Sequence, residues 1–417
     1  MSKKNIFSII LSIILSLIIG LLIYKQIIYP TIIPMVIKGG ASLFADWTVI
    51  LNASDCYQKG YDVYLNNPCD YWNRKHVYGE ILLSIPFIKT YPKFYYFYFP
   101  IIIGFLFIYI LSYTLFDHKN IKFFIPLLIF IFSLPVLLAI ERSNIDLIIF
   151  IFMFLIAKFN NYFLKYFLIV TSSVVKFYPI LLSAIFLYEK NKKNLLINII
   201  LILFMIFIIM VFQYESLKKI FNNTQQFTGY GYGLYEFSFF GFFNFFQSLN
   251  INIDGKNFNW IKYIYATIFI LIPFIVLNFF KILKFDEFID SSNIEENLNF
   301  ENKLYFLAST IIIFCYFSFS NFIYREIFFL GLVPSILMSL SKSESKVVLF
   351  YFYLLLSKFL LTSIFIYIYQ NNIFELINPL MILIKHTVDL YLIFFVFNFY
   401  LKYISLFFRK FFLNFQI

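Results

Sequence analysis

Apolar residues in this chain come in long blocks, each bounded by basic or turn-forming residues. A helix needs about 20 such residues to cross a bilayer. The blocks that qualify are 6–24, 95–116, 122–140, 144–158, 194–213, 260–280, 303–319, 326–341, 347–369 and 378–400. Residues 166–188 are apolar but interrupted by Lys176 and Pro179, which predicts two short pieces meeting at Lys176. Counting them separately gives about 12 transmembrane helices. The expected fold class is therefore all-α, a polytopic membrane protein with one transmembrane domain over residues 1–417. No internal repeat of the kind that marks many transporters is visible.

Three polar stretches interrupt the blocks. Residues 38–80 hold four of the ten aspartates, Asp46, Asp55, Asp62 and Asp70, and two of the three tryptophans, Trp47 and Trp72. Such a stretch between apolar blocks reads as a large loop. Residues 214–257 contain a Gly/Tyr run, Thr228 to Gly233, and then an aromatic run, 234–249, that fits a helix lying in the membrane interface. That helix covers an acceptor or grips a lipid chain, or it simply anchors the segment. Residues 281–302 are acidic and carry no motif, as expected of a solvated connector.

Composition agrees with the membrane reading. Hydrophobic residues make up 62% and charged residues 13%, against about half and a quarter in soluble domains. Phe and Tyr number 62 and 33; their AT-rich codons account for part of this, so single aromatics carry little functional weight. The net charge of +11 does not indicate nucleic acid. Its basic residues sit singly or in pairs at the ends of apolar blocks, where they keep loops cytoplasmic. Lys3 and Lys4 place the N-terminus inside, and no small-residue cleavage site follows, so the first helix reads as uncleaved. Alternation then places Lys119 with Lys122, Lys158 with Lys165, Lys190 to Lys193, Lys281 with Lys284, Lys342 with Lys346, and Arg409 with Lys410 inside. Both termini are cytoplasmic on this frame, in a cell membrane. The outer side receives 38–80, the turn Glu141–Asp146, the break at Lys176, 214–257 and the turn Asn321–Glu326. If the first loop faces an oxidising compartment, Cys56 and Cys69 can pair; two free thiols fit the sequence equally. No zinc-type spacing is present.

Ionisable groups at membrane depth are costly and mark function by default. The outer acids are Asp46, Asp55, Asp62, Asp70 and Glu80, and the outer cations are Arg142, Lys176 and Arg325, each at the end of an apolar run. Arg and Lys gathered at a membrane surface suit a lipid phosphate, and a carboxylate facing it can deprotonate a hydroxyl. The plainer readings are a loop carboxylate for Asp46, snorkelling for Arg142 and a pair with Glu326 for Arg325. Lys358, Lys385, His386 and Asp389 read as structural or as lining a wet cavity, with Lys385 and Asp389 spaced for an intrahelical pair.

In this order and spacing the residues resemble a family. Asp46-Trp47 with Val49, Gly60 to Tyr64, Asn67-Pro68-Cys69-Asp70, and His76 to Gly79 followed by Pro86 resemble the first loop of glycosyltransferase family 87, the polyprenyl-phosphate-mannose-dependent mannosyltransferases. Arg142 to Asp146, Lys176 to Pro179 and Asn321 to Arg325 continue the likeness, which covers residues 1–330. Val77-Tyr78-Gly79-Glu80 stands where the family often has Tyr-Pro-Pro, a departure on the acceptor side.

The resemblance implies a GT-C membrane fold with an extracytoplasmic active site. It also implies an inverting transfer of a hexose, mannose above all, from a polyprenyl-phosphate donor to a glycan or glycolipid acceptor. Asp46 takes the place of the catalytic base. Arg142, Lys176 and Arg325 become the donor-phosphate cations, and Asp55, Asp62, Asp70, His76, Tyr78 and Asn144 become acceptor or loop candidates. No cofactor is expected: Asp46 and Asp55 are the pair that would share a divalent metal, but cations alone neutralise one lipid phosphate. Membrane lipids are the other expected partners, and the chain is expected to act as a monomer. The competing readings are a polysaccharide polymerase or ligase, whose large outer loop usually comes late, and a lipid-linked-sugar flippase or transporter, which calls for charges along a midplane path.

Overall fold

The structure, a computed structural model, describes residues 3–24, 43–84, 91–116, 123–189, 191–223, 234–239, 299–318, 321–342, 345–370 and 378–413. The expected helix at 260–280, the Gly/Tyr run 228–233, most of the aromatic run 234–249 and most of the connector 281–302 lie outside these residues. The described chain is helical, with one isolated antiparallel bridge between Glu236 and Phe322.

Seven helices among the described residues are long and apolar enough to cross a membrane, or eight if Phe124–Ile131 and Leu134–Arg142 form one broken span. The chain is thus a multi-pass helical membrane protein; of the expected twelve crossings, the described residues give seven or eight. The block 144–158 yields a helix of 13 residues, Asp146–Lys158, about 20 Å long, well short of a bilayer. The block 122–140 divides at Phe132–Ser133. Pro135 lacks an amide hydrogen and its ring clashes with the preceding turn, so the first helix stops before it. The break is sealed locally: Ser133 Oγ donates to the Phe130 carbonyl at 2.6 Å, and the Leu134 amide donates to Ser363 Oγ at 2.9 Å. The interruption expected at Lys176 is present, between helix Tyr162–Val175 and the 3-10 helix Tyr178–Tyr188.

The chain packs as two compact units. The first comprises Met1–Ile121 and Val136–Gln225. Its helices are α1 (Lys3–Tyr24), α2 (Ala45–Gln58), α3 (Phe99–Leu115), α5 (Leu134–Arg142, from Val136 onward), α6 (Asp146–Lys158), α7 (Tyr162–Val175) and α8 (Lys192–Asn223). α1 packs on α3, α3 on α6, and α6 on α7. Phe107 and Phe150 meet edge-on at the α3–α6 contact. The outward sides of α1 and α8 expose Ile10, Ile13, Leu17 and Leu21, and Leu203, Phe207, Val211 and Phe212. In water such surfaces would be costly; facing lipid they cost nothing. α8 has 32 residues and spans about 48 Å, more than the roughly 30 Å of a hydrocarbon core. Its polar end, Gln213 to Lys219, meets the polar island.

That island is not the open loop its composition suggests. Residues 45–58 form the buried helix α2, with Ala45 to Leu51, Ala53, Ser54 and Cys56 buried. Gly60, at φ 90°, ends it: the amides of Lys59 and Gly60 donate to Cys56 and Tyr57, and that of Tyr61 returns to Cys56, a glycine-terminated helix end. A Cys56–Cys69 disulfide, with Cα atoms 5.8 Å apart, ties this end to the next turn.

The second unit comprises Lys122–Pro135 and Gln226–Ile417. It contains α4 (Phe124–Ile131), α9 (Phe300–Phe317), the 3-10 helix Ile323–Gly331, α10 (Val333–Lys342), α11 (Lys346–Gln370) and α12 (Asn378–Leu413). Its centre is aromatic, with Tyr305, Tyr316, Tyr351, Phe328, Phe329 and Phe352 fully buried. Within it lie four buried charges: Lys358 pairs with Asp389 and with Glu326 (2.9 Å), and Lys385 pairs with Asp389 (3.0 Å) and Glu326 (3.5 Å). Lys385 also donates to the Glu236 carbonyl at 2.7 Å.

Candidate functional site

Asp46 lies in the first turn of α2, buried, with both carboxylate oxygens engaged. Oδ1 accepts from Arg74 Nη1 and Arg142 Nη1, each at 3.3 Å, and Oδ2 accepts from Asn144 Nδ2 at 2.8 Å. Two segments, the turn at Arg74 and the turn Arg142–Asn144, therefore converge on one carboxylate of α2.

Each segment is fixed locally. The Phe44 amide donates to the Glu141 carbonyl at 3.0 Å, which joins the start of α2 to the end of α5. In the turn that follows α5, Asn144 Oδ1 accepts from the Asp146 amide at 3.0 Å, closing the first turn of α6 and leaving its Nδ2 directed at Asp46. Arg74 is held by Asp70, which accepts from Arg74 Nε and Nη2, each at 3.0 Å, and from the Arg74 and Trp72 amides. Its guanidinium lies 4.5 Å from the Trp72 ring centre, and Nη2 also donates to the Ala45 carbonyl at 2.8 Å. Asn67, buried, donates to the Arg74 carbonyl and ties both ends of this turn. The non-glycine residues at positive φ among the described ones are Phe44 (64°), Asn73 (52°) and Ser143 (46°). All three adjoin these groups, and strained backbone of this kind collects at functional sites.

The other sequence candidates are placed as follows. Lys176 ion-pairs with Asp146, whose Oδ1 also accepts from Tyr178 at 2.6 Å, and lies over the ring of Tyr78. Asp146 lies two residues past Asn144, so Lys176 adjoins the site with its charge already matched. Arg325 belongs to the second unit, with Nη1 3.9 Å from Cys315 Sγ, and its neighbour Glu326 pairs with Lys358 and Lys385. Asp55 pairs with Lys59 at 2.5 Å on the exposed side of α2. Asp62 closes its own turn by accepting from the Tyr64 amide and pairs with Lys219 at 2.7 Å. Asp70 is the holder of Arg74. His76 is buried between Tyr64 and Tyr78, and burial pushes its imidazole down to about 4. The Tyr78 carbonyl accepts from the Tyr64 hydroxyl, itself pushed up to about 12 by burial.

Arg74 is the residue that a search for cations at the ends of apolar runs passes over, and Asp146 reads from the sequence only as part of a motif, without a role. Arg74 had a signal: the chain has four arginines among 33 basic residues, and one of them stands in the aspartate-rich island, four residues after Asp70. An apolar cavity of about 220 Å³ opens beside the site, lined by Trp47, Leu51, Tyr95, Phe99, Ile145 and Phe152 among others. Asp46, Lys176 and Arg325 do not line it, but Trp47 and Ile145 directly follow Asp46 and Asn144 in the chain. No group of metal-ligating side chains is present among the described residues.

Fold and site together define a multi-pass helical membrane protein with a buried carboxylate–diarginine cluster next to an apolar cavity. Comparison with protein-family models, curated proteins and solved structures found no match to the chain.

Proposed function

We propose that the protein is a membrane glycosyltransferase that moves a hexose, mannose above all, from a polyprenyl-phosphate donor to a hydroxyl of a glycan or glycolipid. The observation that carries this reading is Asp46 held by Arg74, Arg142 and Asn144 beside an apolar cavity. A phosphate-linked lipid needs guanidinium donors for its head and apolar walls for its chain. The motif order that resembles glycosyltransferase family 87 supports the same reading, and a GT-C fold belongs to the proposal with it. The basic clusters at helix ends support an extracytoplasmic site with both termini cytoplasmic.

In the proposed reaction Asp46 takes the proton of the acceptor hydroxyl as that oxygen bonds to the anomeric carbon. The bond from that carbon to the phosphate oxygen breaks, and its electron pair leaves with the polyprenyl phosphate. One displacement inverts the centre, so a second carboxylate at nucleophile distance is not needed. Arg142 meets the growing negative charge, at about 3–4 kcal/mol per donor lost.

The test is incubation of membranes with labelled polyprenyl-phosphate-mannose or -glucose and scoring of transfer to endogenous acceptor. Wild type transfers label and Asp46→Asn loses at least about a hundredfold, the scale set by a missing general base. Full activity of Asp46→Asn overturns the assignment.

A further inference from the structure

In the structure Asp46 accepts no fewer than three side-chain donors, two of them guanidiniums that share Oδ1. A base whose oxygens are all engaged is poorly placed to accept a proton. Arg74 and Arg142 are also incompletely buried, their side chains 29% and 18% exposed, whereas the Asp46 side chain is 10% exposed. Both arginine side chains thus reach the surface more than the carboxylate that they share.

We infer that Arg74 and Arg142 form a phosphate clamp for which Asp46 is the resting counterion, exchanged when the donor phosphate enters. The inference rests on the proposed function above and adds Arg74 and an order of events to it. The formal charges of Asp46, Asp70, Arg74 and Arg142 sum to zero. An entering phosphate draws the two Nη1 groups off Oδ1, and the site then carries one surplus negative charge. Proton transfer from the acceptor hydroxyl neutralises Asp46, and the negative charge moves to the departing phosphate, where the two guanidiniums hold it. Asp46 is in this way masked until the donor is bound, so donor precedes acceptor and an empty site does no base chemistry. Asp70 acts through Arg74: two hydrogen bonds to its guanidinium and one to its amide keep the fork in place as its partner changes. Asp70 is a positioning residue.

The exchange makes a prediction that simple packing does not. Removing the Asp46 charge removes a competitor, so phosphate should bind more tightly. The experiment titrates full-length protein in nanodiscs with farnesyl phosphate in one arm and inorganic phosphate in the other. Expected are about tenfold weaker farnesyl phosphate binding in Arg74→Gln, the scale of one charged hydrogen bond, partial recovery in Arg74→Lys, and binding several-fold tighter than wild type in Asp46→Asn. Tighter binding in Asp46→Asn cannot come from misfolding. Preference for farnesyl over inorganic phosphate assigns the clamp to a lipid-linked head; equal affinity assigns it to phosphate alone. Unchanged or weaker binding in Asp46→Asn, or unchanged binding in Arg74→Gln, overturns the clamp. Sugar transfer by wild type is scored separately: transfer without tightening in Asp46→Asn leaves the transferase and removes the exchange, whereas tightening without transfer of any sugar leaves the clamp and removes the transferase.

Discussion

Asn144 and Gly79 illustrate how much of the site depends on single positions. Asn144 holds Asp46 with one end of its amide and starts α6 with the other. Replacing it with Asp keeps the cap and sets a second carboxylate against Asp46. Asn144→Asp is expected to lower the melting temperature by several degrees, because two buried carboxylates then face each other, and to lose transfer activity by about tenfold or more, the cost of misplacing a base; melting curves beside the transfer assay read the two effects. Gly79 matters for another reason. Its amide donates to the Val175 carbonyl, and a Cβ built on it would lie 1.8 Å from the Val174 carbonyl oxygen. Backbone cannot yield cheaply there, so Gly79→Ala is expected to cost about 2–4 kcal/mol, read as a lowered denaturation midpoint. The glycine at 79 thus has a local cause, since the segment passes too close to the end of α7 for any side chain there.

His76 adds a pH dependence. Its imidazole is neutral in the fold, lowered from 6.5 to about 4 by burial. Between those values the unfolded chain binds a proton that the folded chain refuses, so stability rises with pH through this window. The contribution is complete above about pH 6.5 and is lost as pH falls towards 4, at most roughly 3 kcal/mol. Melting curves from pH 7 to pH 4.5 should fall more steeply for wild type than for His76→Leu.

At the scale of elements, hydropathy finds most long helices because burial in lipid needs only a run of apolar residues. α1, α3, α8, α9, α11 and α12 each overlap a block legible in the sequence, with α8 and α12 running past the ends of theirs. It fails where a single residue outweighs the average. Pro135 divides one apolar block into α4 and α5, and the turn at Ser143–Asn144 leaves α6 with 13 residues. It also fails at α2, whose mixture of Asp, Asn, Ser and Trp reads as loop, although ten of its residues are buried by neighbours distant in sequence. Arg142 was legible as a candidate because it flanks an apolar block, and Asp46 because it stands in the aspartate-rich island at the place the resemblance gives to a base. Arg74 was not, since its contact with Asp46 spans 28 residues and depends on the fold of the island.

At the scale of the molecule, Lys358, Lys385, Glu326 and Asp389 form a buried charge set of their own within the second unit. They occupy the place where a transport path was considered, but Lys358 is closed off by Glu326 and Asp389, its side chain 1% exposed. Two lysines matched to two acids form a neutral set that joins the 3-10 helix Ile323–Gly331, α11 and α12. Breaking such a set leaves a charge uncompensated and costs about 3–5 kcal/mol. Lys358→Met is expected to lower the yield of folded protein sharply, and Lys358→Met with Asp389→Leu to recover part of it, measured by size-exclusion profile and thermal denaturation.

The Cys56–Cys69 link gives the site a history as well as a shape. Cys69 precedes Asp70, and Asp70 holds Arg74. On the proposed orientation, the newly made chain cannot finish this turn until residues 43–74 have been carried across the membrane and met a thiol oxidase. Maturation then has two stages, insertion of the helices followed by closure of the island. Pulse-labelled cells treated with a membrane-permeant reductant should accumulate an inserted, full-length form with slower non-reducing migration and no transfer activity, which converts to the active form when the reductant is washed away.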